Sequence, residues 1–120
     1  MRVLVLISLA ASVSQAGVPL PRITRDIPTH ELSLLSDCSA EKTDLISHEI
    51  SVAISLGAPA YNAGDFEACY RVYSNTAIAL DSKVSQCSGA RRALMKGVER
   101  AATLKTFGEK AWAMRDAFDG

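Results

Sequence analysis

The chain has 120 residues, 48% of them apolar, with thirteen basic side chains against thirteen acidic ones. That is length for one domain and apolar content for a packed core, without the basic excess that nucleic acid binding calls for. Seven glycines and four prolines are too few for a collagen-like or low-complexity chain.

Residues 1–16, MRVLVLISLAASVSQA, read as an export signal. Arg2 supplies the positive start, Val3 to Ala11 the apolar run, and Ser14 and Ala16 the small residues of a cleavage site. The run is shorter than the ~20 residues of a membrane-spanning helix. Cleavage after Ala16 leaves twelve basic residues against thirteen acidic ones. The remaining chain is expected to be secreted or periplasmic, with no stable insertion in a membrane and no nucleic acid partner.

Residues 17–36 form a lead-in. Pro19, Pro21 and Pro28 oppose regular structure over residues 17–28. Residues 29–36, THELSLLS, suit a short helical turn capped by Thr29. The helical domain occupies residues 37–120.

Its first helix is expected from Ala40 to Leu56, with Ser39 as N-cap and Glu41 and Asp44 at the positive end. Ile46, Ile50, Ala53 and Ile54 make one face. Leu45, Val52 and Leu56 broaden it, as in a helix wedged between two neighbours. Gly57 and Pro59 break or kink it. The second helix runs from about Asp65 to Asp81, after the turn residues Asn62, Gly64 and Asp65. Phe66, Cys69, Tyr73, Thr76 and Leu80 recur on one side, widened by Tyr70 and Ala77. Residues 82–88 connect it to the third helix, Gly89 to Thr103. There Ala90, Ala93, Leu94, Gly97, Val98 and Ala101 form a stripe of mostly small residues that lets a neighbour approach closely. The fourth helix, Thr106 to Phe118, carries Phe107, Ala111, Met114 and Phe118, and is either separate or one bent helix with the third around Gly108. No alternation of period two points to a sheet. The expected fold is all-α, a small bundle of three to five helices.

Residues 56–82, LGAPAYNAGDFEACYRVYSNTAIALDS, resemble a single tetratricopeptide repeat. Gly57 and Tyr61 match the small and aromatic positions of its first helix, Gly64 and Asp65 its turn. Cys69 stands where the repeat has a small buried residue, and Tyr73 matches the aromatic of its second helix. The closing proline is absent, Pro59 interrupts the first helix, and no second copy follows at the period of about 34 residues. The resemblance implies an antiparallel helical hairpin with Gly57, Cys69 and Tyr73 as buried packing residues, and no peptide-binding groove. The strings GAPAYNAGD, CYRVY and KAWAMRDAFDG are also similar to strings in exported helical proteins, a resemblance that implies no activity.

The helix layout bears on the three cysteines. Cys69 lies 12 residues before Asp81, or about 18 Å along the axis. A disulfide needs Cα atoms within about 7 Å, so Cys69–Cys87 would break the second helix. In an antiparallel hairpin, Cys38 before the first helix and Cys87 after the second come together. Cys38–Cys87 is the expected bridge, with Cys69 buried and unpaired; a different bridge and three free thiols are the alternatives.

No catalytic constellation stands out, and none of the GxSxG, P-loop, HExxH or CxxC patterns is present. His48 has no second histidine at ligand spacing, so no metal or other cofactor is expected. Asp116 and Asp119 read as solvated surface. Arg92, Lys96 and Arg100 step by four along one helix face, which suits either a solvated exterior or an anionic partner surface. Trp112 suits the edge of the core or an exposed anchor, and Tyr61 an exposed ring in a Pro-containing loop. The leading functional expectation is a non-enzymatic interaction or scaffold module of unknown protein partner, presenting Tyr61, Arg92, Lys96, Arg100 and Trp112. The alternatives are a carrier with an apolar pocket lined by Tyr70, Tyr73, Trp112 and Phe118, and a thiol redox protein using an exposed Cys69.

Overall fold

Local sequence signals set the helix starts. Ser39 accepts the Lys42 N–H at 3.1 Å and opens α1, Ala40–Asn62. Asp65 accepts the Ala68 N–H at 3.1 Å and opens α2, Phe66–Lys83. Thr106 and Glu109 exchange backbone hydrogen bonds at 3.1 Å in a capping box that opens α4, Phe107–Asp119. Between them lies α3, Ser88–Ala102. This computed structural model describes residues 24–120, so the export signal expected over residues 1–16 and the start of the lead-in lie outside the described residues. Among the described residues the fold is all-helical, four α-helices in an antiparallel bundle, with no strand. None of these helices is long and apolar enough to cross a membrane.

Several boundaries differ from expectation. The break at Gly57 and Pro59 does not occur, and α1 continues to Asn62 with Pro59 inside it. Pro59 removes the N–H that would bond the Ser55 carbonyl, but both residues are exposed, so water can satisfy that carbonyl. The chain turns at Gly64, whose φ of 92° suits glycine alone. Helices α3 and α4 are separate, joined through Thr103–Thr106. The turn in the lead-in is 3₁₀, at Leu32–Leu35, with Glu31 rather than Thr29 preceding it.

Helix α2 is central and packs on each of the other three helices. Its inward residues Cys69, Tyr73, Ala77 and Leu80 join Leu94 and Ala101 from α3 and Ala111, Ala113 and Met114 from α4 in the main core. Gly57 of α1 meets α2 at the Tyr73 ring, where an added Cβ would lie 2.8 Å from Cζ. The small residues of α3 admit α4, with Gly97 facing Ala117.

Helix α1 lies along α2 and meets α4 only narrowly, where Tyr61 reaches Trp112. It is therefore not wedged between two neighbours, and Val52 and Leu56 stay 42% and 60% exposed.

The Cys38–Cys87 disulfide joins the start of α1 to the α2–α3 connector, with Cα atoms 4.6 Å apart. Cys87 packs with Val84, Ala90, Leu45 and Ile46 in a second small core. Asp37 accepts the Ser88 N–H at 3.2 Å and also the Ser88 hydroxyl. The hydroxyl foremost, with that N–H, holds the Asp37 carboxyl below its ordinary value. Its charge sits at the positive end of α3, which Cys87 as N-cap leaves without a side-chain acceptor.

Candidate functional site

Three helices converge on one cleft of about 200 Å³. Helix α1 contributes Ala58, Tyr61 and Asn62 from the turn beyond Gly57, α2 contributes Cys69 and Tyr73, and α4 contributes Ala111, Trp112 and Arg115. The continuation of α1 past Pro59 makes the cleft, because it carries Tyr61 and Asn62 on a helix rather than a loop.

The aromatic frame is tied together. Tyr61 packs against Phe66 at 4.4 Å between ring centroids and meets the Trp112 ring edgewise at 5.8 Å. Tyr73 meets Phe118 edgewise at 5.4 Å. Cys69 is 1% exposed. Burial pushes its thiol up, against the opposing effects of the Tyr73 hydroxyl and the Arg115 charge. Burial also pushes the Tyr73 phenol up, to about 12. Both groups are therefore protonated at neutral pH, and the fixed charge in the cleft is the Arg115 guanidinium.

Behind the cleft is an ion cluster for which the sequence carries no local signal. Asp116, expected at the surface, is fully buried. It pairs with Arg25 and with Arg100, the latter at 3.1 Å, and accepts the Asp26 backbone N–H at 2.9 Å. Burial alone would raise its pKa; the Asp26 N–H and the two guanidinium groups outweigh that and hold the carboxyl below its ordinary value. Asp119 pairs with Arg25 at 2.7 Å and with Arg115 at 3.2 Å. The Arg25 guanidinium lies 4.5 Å from the Trp112 ring centroid, in cation–π geometry.

The residues singled out from the sequence fall in different places. Gly57, Cys69 and Tyr73 are buried together at the α1–α2 contact. Tyr61 is half-buried on α1 and is not an exposed loop ring. Trp112 is half-buried between Tyr61 and Arg25. Arg92 and Lys96 are exposed on α3. Arg100 does not share their open face, since its guanidinium turns to Asp116 and the Asp26 carbonyl. The four rings expected around one apolar pocket do not converge. Tyr73 and Trp112 line the cleft, whereas Tyr70 pairs with Phe107 at 6.1 Å and Phe118 backs Tyr73. A reactive thiol needs exposure and a lowered pKa, and Cys69 has the opposite of both. Among the described residues, no group of three or more His, Cys, Asp or Glu side chains is placed to hold a metal ion.

No protein-family model, curated protein or solved structure matches this chain.

Proposed function

We propose that this chain is an exported, non-enzymatic helical interaction module whose outer α1 face pairs with a second copy of itself. The observation that carries the reading is the one-sided packing of α1. It is a helix of 23 residues that rests on α2 and leaves Val52, Leu56 and Pro59 on its outer side.

Charge supports a self-complementary pairing. From Ile50 to Gly64 there is no charged side chain, so two copies of this face meet without a like-charge pair and without desolvating an ion. A two-fold interface places the same patch on both partners, and an uncharged patch meets its own copy without charge conflict. Exposed Ser51 and Ser55 alternate with Val52 and Leu56, giving shallow positions beside bulky ones on one surface. After loss of the signal segment, the near-balanced charge adds little long-range repulsion. Export to the periplasm or the cell exterior is supported by the pattern of residues 1–16 and by the Cys38–Cys87 bridge, which suits an oxidising compartment. The tetratricopeptide-like reading of residues 56–82 belongs to the same proposal, supported by Gly57 against Tyr73.

Sedimentation velocity of the purified exported chain tests the reading. A reversible dimer is expected in the micromolar range, with Leu56→Glu monomeric and equally helical, and with Arg92→Glu unchanged. A wild-type chain that stays monomeric to millimolar concentration, whether or not it binds some other protein, overturns the pairing. A Leu56→Glu variant that dimerises as well as wild type does the same.

A further inference from the structure

We propose that the cleft between α1, α2 and α4 is a binding site for a small aromatic carboxylate. This goes beyond the pairing of α1, since it uses the side of that helix facing the bundle.

The walls and the far end of the cleft differ in chemistry. Tyr61, Tyr73 and Trp112 offer rings, and Ala58 and Ala111 leave room between them. The volume of about 200 Å³ is below the roughly 300–1,000 Å³ of drug-sized sites, which limits the occupant to about one ring. Arg115 and Asn62 supply polar donors to the same space. Asp119 engages Arg115 only through Nε, at 3.2 Å. Among the described residues, no carboxylate engages the two terminal guanidinium nitrogens, which have the fork geometry that suits a planar carboxylate. The surroundings favour an anion as well. Arg25, Arg100 and Arg115 share two carboxylates, Asp116 and Asp119, leaving one positive charge in excess. The Tyr73 hydroxyl accepts from the Arg115 guanidinium and so holds it at the cleft.

Trp112 is the only tryptophan in the chain and lines the cleft, so its emission reports occupancy. Titration of the full exported chain with benzoate should change that emission saturably. Benzyl alcohol, which keeps the ring, and acetate, which keeps the charge, should each bind about tenfold more weakly or worse, the scale of one charge-assisted hydrogen bond. Arg115→Gln should lose the preference for benzoate over benzyl alcohol. Asp119→Asn removes the negative charge beside Arg115 and should tighten benzoate several-fold, a gain that a merely damaged fold would not produce. No saturable response to benzoate, equal affinity for benzoate and benzyl alcohol, or an Asp119→Asn variant that binds benzoate no more tightly would overturn the site.

Discussion

Asp116 and Arg25 stand 91 positions apart in the chain and form an ion pair on α4, with the Asp116 side chain 1% exposed. The pair fastens the lead-in across the last helix, and the Asp26 N–H and Arg100 close the remaining lone pairs of the carboxylate. Asp116→Ala should cost about 3 kcal/mol, near the low end for an opened buried pair because both guanidinium groups stay a third exposed. Arg25→Ala should cost about 1 kcal/mol, since Arg100 still holds the carboxylate. Urea unfolding followed by circular dichroism measures both, and equal midpoints for wild type and Asp116→Ala would show that the cluster carries no stability.

The same carboxyl predicts an acid limb. Its pKa is lower in the folded chain than in the unfolded one. The stability it contributes is therefore present above the ordinary carboxylate value of about 3.9 and is lost as the pH falls through the depressed folded value. Asp116→Asn should flatten the fall in unfolding free energy over that window, measured by urea titrations at a series of acidic pH values.

The disulfide closes a loop between residues 49 apart. In the chain-entropy model a loop of that length stabilises by about 4 kcal/mol. The double variant Cys38→Ser, Cys87→Ser should lose stability on that scale, and an unreduced digest should show Cys38 and Cys87 peptides joined. Cys69 should label slowly in the native state and at once after unfolding. A bridge that includes Cys69 would contradict the packing of α1 on α2.

Tyr73 stands against the one glycine of α1. Gly57→Ala should destabilise by about 1–3 kcal/mol, because the new methyl meets the ring edge. Part of that loss should return in a Tyr73→Leu background, where the ring carbons are gone. Calorimetric melting of the four chains in a double-mutant cycle gives the coupling, and additive losses would show that the two positions do not touch.

Tyr73 also predicts an alkaline signature. Its phenol is pushed up to about 12, mainly by burial. A folded value above the unfolded one means the associated stability is complete below about 10 and disappears as the pH rises through the folded value. Phenolate absorbance should show a late step near 12 that Tyr73→Phe removes.

Much of the fold was legible in the sequence because helix ends are set within a few residues. Ser39 and Asp65 cap within three positions of themselves, and the spacing of apolar side chains names the inward face of α2. The T-x-x-E of Thr106 to Glu109 was equally local and marks the start of α4 to the residue. The cysteine pairing followed from the same layout, because helix length alone separates Cys69 from Cys87.

Other features depend on residues brought together only by the tertiary structure. Pro59 looked like a break, yet whether a helix survives a missing hydrogen bond depends on whether the freed carbonyl reaches water, and that is decided by what packs around it. Arg100 shared a face with Arg92 and Lys96 by spacing alone, but its long side chain follows the strongest partner within reach, and Asp116 lies on the neighbouring helix. The burial of Asp116 had no local sign, because the groups that make it tolerable come from the lead-in and from α3. The sequence by itself determined where α1, α2 and α4 begin, which side of α2 is apolar and which cysteines can meet, since those are short-range or length-limited properties. Only the tertiary structure decided that α1 lies at the edge with Leu56 exposed, and that Tyr61, Arg115 and Trp112 enclose one cleft, because side-chain neighbours across helices depend on rotation and crossing that no single segment encodes.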